Sequence, residues 1–320
     1  MNGPKTLIQT VITRRTLIKQ LVMTALTAAV PLARTCPAST KSTAQKIHLV
    51  FVVGTYHYSP QISMPVLAKE MGRFGFKTTV ILPPGDPEQN KNGVGIPGLE
   101  ALEQADVAVF FLRFLTLDDE QFGYVERYVK SGKPVVAFRT STHAFRYGVD
   151  HRRFAWNDAF GRDVQGTDYL CHMKGTTSCR PLDQTQNHPI LTGVGDEPFT
   201  SAGTLYLTDL ASGCLPLVIG SGSGSERLIR DQFRTRHVQK NEEDIVAWTW
   251  EKNKYGARVF ATSFGHPGDF AVPQIMRIIV NGIHWAADVE IPDASKEVRT
   301  FHLSGQGVQK GDTRAKTQKR

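Results

Sequence analysis

The sequence predicts an α/β fold in which a mainly parallel sheet is covered by helices on both faces. Apolar runs rich in β-branched residues recur in the first half of the chain, and each is typical of a buried strand: KIHLVFVVG, FKTTVILPP, ADVAVFFL and KPVVAF. Segments whose apolar residues have helical spacing lie between these runs. Strands that alternate with amphipathic helices form parallel sheets with helices on both faces.

Local signals place the elements of the first half. Gly54 bounds the first strand, and the segment from Gln61 to Phe74 carries its apolar residues on one side of a helix. Two prolines end the second strand, and a short helix is expected near 98–104 before the third. Thr116 and Asp119 form a capping-box-like start of a helix through Val129, which Gly132 ends before the fourth strand.

The second half has a less regular pattern. Residues 144–214 are rich in polar residues, Gly and Pro, which predicts a loop-rich elaboration over the sheet. The run LPLVIGSGSGSERLIRD predicts a strand, a flexible Gly/Ser turn and another strand, and it lacks the lysine of a phosphate-binding loop. A hairpin with its turn at Asn253–Gly256 and a helix from Pro273 to Ala287 follow.

Charge is distributed unevenly along the 320 residues, whose formal net charge is +8. Residues 1–46 hold +7 and residues 310–320 hold +4, which leaves −3 on residues 47–309. The body of the chain is therefore not basic, which argues against nucleic acid as a partner.

The basic N-terminus has the pattern of an export signal. TRRTLIK at residues 13–19 is a twin-arginine motif, and the moderately apolar QLVMTALTAAVPLA follows it. We predict a signal peptide over 1–38, a linker over 39–46, an α/β domain over 47–292 and a flexible basic tail over 293–320. The protein would then be periplasmic or secreted, with no stable membrane span after signal cleavage. The alternative is an amphipathic or membrane-anchoring first helix, although the run is shorter than the ~18 apolar residues that a span needs.

Two mid-chain cysteines leave two alternatives open. Cys171 and Cys179 lie close together in the loop-like segment, and an oxidising compartment would allow them to pair. Buried thiols are the other interpretation. No zinc-finger spacing is present among the four cysteines of the chain.

Polar side chains follow several of the predicted strands. Ligands of open parallel sheets bind at the carboxyl ends of the strands, so these residues are candidates for one site. They come from separate segments: His57 and Tyr58 after the first strand, Arg113 after the third, Arg139, His143 and Arg146 after the fourth, and His266 with Asp269 after the hairpin.

Several of these segments are similar to a known family. HLVFVVGTYHYSP, VERYVKSGKPVVAFRTSTHAF, HPILTGV, VAWTWEKNKYGARVFATSFGHPGDF and IMRIIVNGIHWAAD, which span most of residues 47–287, together resemble the trehalose-utilisation (ThuA-like) family. That family is part of the class I glutamine amidotransferase-like superfamily. The resemblance implies a flavodoxin-like three-layer α/β sandwich with a mainly parallel central sheet.

The resemblance also implies that glutamine amidotransferase chemistry is absent. Aligned with the superfamily pattern, PVVAFR places Arg139 where the nucleophilic cysteine would be, and the His-x-Glu pair falls at His266 and Gly268. A guanidinium cannot attack a carbonyl. Ser141 is a weak alternative nucleophile, because its neighbours lack the small residues that a nucleophile elbow needs.

Two hypotheses remain for the cluster. In the first, a divalent metal such as zinc, manganese or iron is bound by His57, His143, His172 and His266. In the second, an anionic or polyhydroxylated ligand, such as a small carbohydrate derivative, is bound by Arg113, Arg139, Arg146 and Tyr58, and His266 or His143 supplies acid–base catalysis. The resemblance implies carbohydrate breakdown, with sugars oxidised at carbon three as candidate substrates for isomerisation or hydrolysis. A non-catalytic sugar- or anion-binding accessory protein is the alternative.

Overall fold

The computed structural model of the chain describes residues 46–85, 95–230, 235–304 and 307–310. The predicted signal peptide and nearly all of the predicted linker lie outside the described residues. The strands are β1 His48–Gly54, β2 Lys77–Ile81, β3 Val107–Leu112, β4 Val135–Phe138, β5 Thr167–His172, β6 Lys174–Pro181, β7 Phe199–Ser201, β8 Tyr206–Leu210, β9 Cys214–Ser223, β10 Arg227–Arg230, β11 Thr235–Val238, β12 Asn241–Trp250, β13 Val259–Thr262, β14 Phe301–Ser304 and β15 Gly307–Lys310. The α-helices are α1 Pro60–Arg73, α2 Asp119–Lys130, α3 Trp156–Ala159 and α4 Pro273–Ala286.

Within the described residues the main sheet has nine strands, in the order β2-β1-β3-β4-β13-β12-β9-β6-β7. The first five strands in this order, β2, β1, β3, β4 and β13, are parallel to one another. The last four strands in this order, β12, β9, β6 and β7, run antiparallel to their neighbours. The prediction of a mainly parallel central sheet is therefore confirmed for the half formed by β2, β1, β3, β4 and β13.

The parallel half is buried on both faces, which explains its continuous apolar runs. Leu49, Phe51 and Val53 of β1 belong to one apolar core together with residues of α1 and α4. Val50 and Val52 belong to a second core together with residues of α2. The period-2 alternation of a strand thus divides β1 between two helical layers, giving the predicted three-layer sandwich.

The prediction that residues 144–214 are loop-rich is wrong in part, because this segment contains β5 to β8. Its strands are polar along the exposed side: in β6 the buried residues are Thr177, Cys179 and Pro181, and those between them are exposed. A strand that buries small and polar residues gives no apolar signal in the sequence.

The Gly/Ser run is not the flexible turn that the sequence predicted, because β9 continues through Ser223. Gly220 and Gly222 lie under the segment that carries Leu205. A Cβ atom on Gly222 would be 2.8 Å from Leu205 Cβ, a distance too short for two carbon atoms. Glycine is used here for close packing of the chain against the sheet.

Two predictions about the ends of elements also need correction. Asp118, rather than Thr116, caps α2 by accepting a hydrogen bond from the Gln121 N–H. Residues 293–304, predicted as part of a flexible tail, pack against the domain. Arg277 of α4 donates to the carbonyls of Asp293, Ala294 and Lys296.

The three cysteines among the described residues, Cys171, Cys179 and Cys214, are free thiols, so of the two alternatives left open by the sequence the Cys171–Cys179 pair is not formed. Burial raises the pKa of the Cys179 thiol to about 12. No helix in the described part of the chain has both the length and the apolar character needed to cross a membrane.

Candidate functional site

The carboxyl ends of β1, β3, β4 and β13 lie along one edge of the sheet, because these strands are parallel neighbours. The residues that the sequence singled out follow these strands directly. The structure therefore brings the predicted segments together at one edge. We name these side chains, together with the aromatic rings that contact them, the edge cluster. Its centre is Arg139, and the predicted residues in it are His57, Tyr58, Arg113, His143, Arg146, His172 and His266.

Arg139 comes immediately after β4 and has a left-handed backbone conformation, with φ of 43°. A side chain rarely adopts this conformation, and it produces the sharp strand-to-helix turn that presents a nucleophile in other enzymes. Here the turn presents a guanidinium that is 1% exposed. The guanidinium donates from Nη1 to the Ser263 carbonyl at 2.6 Å and from Nη2 to the hydroxyls of Tyr58 and Thr204, both at 3.2 Å.

Two tyrosine rings enclose this guanidinium. Its Cζ atom lies 4.2 Å from the ring centre of Tyr58 and 4.6 Å from that of Tyr206. Burial raises the pKa of Tyr206. The neighbouring Arg139 cation lowers it by less, so the pKa is raised overall. Arg139 was predicted to contact substrate, whereas in the structure its Nη atoms contact protein and fix the two tyrosines.

Ser141 is not placed as a nucleophile. It is fully buried, and its Oγ donates to the Phe110 carbonyl and accepts from the Leu112 N–H, each at 3.0 Å. Both contacts attach the turn after β4 to the end of β3.

His143 lies deeper in the edge cluster. Its ring centre is 4.4 Å from that of Tyr169 and 5.0 Å from that of Phe114. The Thr142 hydroxyl donates to the Arg139 carbonyl and lies 3.1 Å from His143 Nδ1. Burial, together with the charges of Arg113 and Arg139, lowers the pKa of His143 to about 3.

His266 begins the short helical turn Pro267–Ala271, and a backbone hydrogen bond fixes its tautomer. Its Nδ1 accepts a hydrogen bond from the Gly268 N–H at 3.2 Å, so the proton of the neutral ring is on Nε2. Burial lowers the pKa of His266, and the nearby Asp269 carboxylate opposes this effect. The ring centre of His266 is 5.6 Å from that of Tyr58.

Asp269 fixes the backbone of the segment that carries His266. Its carboxylate is fully buried and accepts four hydrogen bonds: from the Ser201 hydroxyl and from the backbone N–H groups of Ala202, Gly265 and His266. A buried carboxylate is stable only when its lone pairs are used in this way. The sequence placed Asp269 near the site but gave it no role, although the spacing of HPGD is that of a capping box.

The remaining predicted metal ligands lie at the rim. His57 is exposed and its ring centre is 4.2 Å from that of Tyr58. His172 is exposed, and its Nδ1 is 2.7 Å from the Tyr169 hydroxyl. Burial, then the charges of Arg227 and Arg139, lowers the pKa of His172.

These four histidines do not fit a metal centre. His57 and His266 contact Tyr58, whereas His143 and His172 contact Tyr206, and the Arg139 cation lies between the two tyrosines. Among the described residues, no group of three or more His, Cys, Asp or Glu side chains is arranged to hold a metal ion. We therefore derive no step through a metal.

Arg113 and Arg146 form the outer side of the edge cluster. Both guanidinium groups stack on the ring of Phe114, with Cζ-to-centre distances of 4.5 and 4.6 Å. Phe114 itself has a left-handed backbone, with φ of 49°. Arg146 is exposed and Arg113 is half-buried.

The sequence did not identify Tyr169, Tyr206 or Phe114 as members of the site. Tyr169 and His172 are three residues apart, which would place them on opposite faces of a regular strand. A register shift between Tyr169 and Cys171 in β5 returns both side chains to one side. No local sequence signal predicts this bulge.

Comparison with known proteins gives a family. The family model described as trehalose utilisation, ThuA, matches residues 49–286. The chain belongs to the ThuA family. A comparison with curated protein sequences gives no significant match.

Solved structures support the fold of this ThuA-family protein. It is similar to a ThuA-like protein from Parabacteroides merdae, with a TM-score of 0.51 and 14% identity over 83% of this chain and 98% of that one. A ThuA-like protein from Bacteroides uniformis has a TM-score of 0.51 and 13% identity over 78% of this chain and 95% of that one. The predicted α/β sandwich with a mainly parallel central sheet is thus confirmed.

Proposed function

We propose that this ThuA-family protein is an enzyme of carbohydrate catabolism that acts on a sugar derivative at the edge cluster by histidine acid–base chemistry. The observation that carries the proposal is that the ring of His266 is held with its proton on Nε2, because its Nδ1 accepts a hydrogen bond from the Gly268 N–H. His143 lies at the same edge of the sheet, and burial keeps its imidazole neutral. The family description, trehalose utilisation, supports a carbohydrate as the ligand.

The aromatic rings of the cluster suit a sugar. Tyr58, Tyr169 and Phe114 are each half-buried, so part of every ring stays accessible. Amphipathic aromatic side chains combine an apolar face with a polar tip, and binding sites add a few placed hydrogen-bonding groups. His143 would accept a hydrogen bond from a sugar hydroxyl.

The tautomer of His266 defines its role in the proposed reaction. A neutral imidazole that donates from Nε2 to a ketone oxygen polarises the carbonyl and stabilises the enolate formed when solvent water takes a proton from the neighbouring carbon. Sugars oxidised at carbon three carry such a ketone, and isomerisation or hydrolytic cleavage would begin from the same polarised carbonyl. The pKa of His143, about 3, leaves this imidazole as a hydrogen-bond acceptor rather than a proton carrier near neutral pH.

Deuterium exchange tests the proposal. Trehalose oxidised at carbon three is incubated with the protein in D2O, and proton NMR follows the signals of the protons beside the ketone. We expect exchange well above the uncatalysed rate in the wild-type protein and in His151→Ala, which changes an exposed histidine outside the edge cluster. His266→Ala should show exchange only at the uncatalysed rate. Exchange at the uncatalysed rate with all three proteins, and with no product formed, would overturn the proposed activity.

A non-catalytic binding protein is the second candidate, and one observation favours it. Arg139 occupies the turn that would present the nucleophile in an amidotransferase, and both of its Nη atoms donate hydrogen bonds to protein groups. The edge cluster would then be a ligand pocket on a degenerate amidotransferase site. Binding of the oxidised sugar without any exchange or product in the NMR experiment would establish this alternative.

We also propose export through the twin-arginine route to the periplasm or the medium, on the evidence of TRRTLIK and the run that follows it. Changing both Arg14 and Arg15 to Lys should retain the protein in the cytoplasmic fraction of the producing cells. Equal amounts of exported protein with and without the change would contradict this route.

A further inference from the structure

We propose that the ligand of the edge cluster is anionic, and that Arg146 together with Arg113 binds its carboxylate or phosphate group beside Phe114. This inference rests on the proposed function for the sugar part of the ligand, and it adds the charge of that ligand and the residue that selects for it.

The backbone holds the two arginines on one ring. Beyond β3 and β4 the chain continues as a parallel bridge between Leu115 and Phe145. The Arg146 N–H donates to the Leu115 carbonyl at 2.9 Å. Phe114, which has a left-handed backbone, carries the ring that both guanidinium groups contact. The geometry is therefore set by strand pairing rather than by the arginines themselves.

The Arg146 side chain is suited to bind an anion. Its guanidinium is exposed, and among the described residues it makes no hydrogen bond or ion pair; its contact is with the Phe114 ring. Stacking fixes the plane of a guanidinium while leaving its N–H donors at the edge, which is the arrangement that binds carboxylate and phosphate oxygens. A second cation on the same ring repels the first, and an anion bound beside both relieves this repulsion.

The surroundings are positive across the site. Arg227 donates to the His172 carbonyl at 2.6 Å, and Arg139 lies in the centre. The carboxylate of Asp269 is fully buried and already accepts four hydrogen bonds. The charges of Arg113 and Arg139 reach His143, where they add to burial in lowering its pKa. Fields of this kind favour anionic ligands and raise their local concentration.

Calorimetric titration with matched ligands tests the inference. The probes are glucuronate, its neutral methyl ester, glucose 6-phosphate and inorganic phosphate, each titrated into the purified chain. A hydrogen bond to a charged group changes affinity by a factor of roughly 10 or more. We therefore expect glucuronate or glucose 6-phosphate to bind at least about tenfold more tightly than the methyl ester. Arg146→Gln should abolish this preference, and Arg180→Gln, at an exposed position of β6, should keep it.

The outcomes separate this inference from the proposed function. Equal affinity for glucuronate and its ester would overturn the anionic ligand and leave the carbohydrate proposal intact. Inorganic phosphate that binds as tightly as the sugar anions, and loses affinity in Arg146→Gln, would support the anion site and contradict recognition of the sugar. No binding of any anionic probe by the wild-type protein would overturn the inference. The sugar anion that binds more tightly shows whether the site prefers a carboxylate or a phosphate group.

Discussion

The guanidinium of Arg139 is enclosed by the rings of Tyr58 and Tyr206, with its Cζ atom 4.2 and 4.6 Å from the two ring centres. The sharp turn after β4 thus presents a cation that organises an aromatic site.

Removal of this cation should destabilise the protein. Arg139→Met loses the hydrogen bonds to Ser263, Tyr58 and Thr204 and both cation–ring contacts. We expect the free energy of unfolding to fall by about 2–4 kcal/mol, because buried acceptors lose their donors. Urea denaturation measures the change, and Arg180→Met on the exposed side of β6 is the matched control. An unchanged unfolding midpoint in Arg139→Met would contradict this role.

Asp269→Asn should disturb the segment that carries His266. An amide oxygen can replace one carboxylate oxygen, but the NH2 group would face two hydrogen-bond donors in place of the other. We expect a loss of about 2–4 kcal/mol in unfolding free energy. The exchange activity proposed for His266 should fall with it. Thermal unfolding and the D2O exchange assay measure both effects, and Asp183→Asn, at an exposed position, should change neither.

His143 should make stability fall in acid. Its pKa in the folded protein, about 3, lies below the ordinary value of 6.5, so the unfolded chain binds its proton first. Unfolding therefore becomes more favourable as the pH falls from about 6.5 to about 3, by at most ~1.4 kcal/mol per pH unit from this residue. Urea denaturation at several pH values should show a shallower pH dependence in His143→Gln. The ring signals of His143 in the wild-type protein should not titrate between pH 5 and pH 8, and a midpoint near 6.5 would disprove the burial of its neutral form.

The parallel half of the fold and its polar edge could be predicted from the sequence for one physical reason. Strands buried on both faces are continuous apolar runs, and the residues after them meet at one edge of the sheet. Tyr58, Arg139, His143 and His266 were found in this way. Their detailed roles could not be, because the burial of Arg139 depends on Thr204 and Tyr206, more than 60 residues away.

Strand β6 of the antiparallel half gave a weak signal because it buries small and polar side chains. Thr177 and Gly220 lie in contact positions of β6 and β9, where larger residues would not fit. Tyr169 reaches the site only through the bulge of β5. These features are set by packing between distant segments, which local spacing does not record.

A pair of glycine variants tests this close packing. Gly222→Ala places a methyl group 2.8 Å from Leu205 Cβ, so we expect a destabilisation of about 1–3 kcal/mol. Gly72 lies in α1 with no heavy atom within 4 Å of an added Cβ, so Gly72→Ala should stabilise by up to about 1 kcal/mol. Thermal unfolding compares the two variants with the wild type. A stable Gly222→Ala protein would show that Leu205 is free to move away from β9.

Elemental analysis of protein purified without chelator tests the metal hypothesis directly. His57 and His266 contact a different tyrosine from His143 and His172, and a divalent cation among these rings would also be repelled by Arg139 and Arg113. We therefore expect less than stoichiometric zinc, manganese or iron, including after incubation with each metal. His57→Ala and His266→Ala should give the same content as the wild type. One metal ion per chain that is lost in both variants would establish a metal centre, and the role of His266 would then be that of a ligand rather than a hydrogen-bond donor to the substrate.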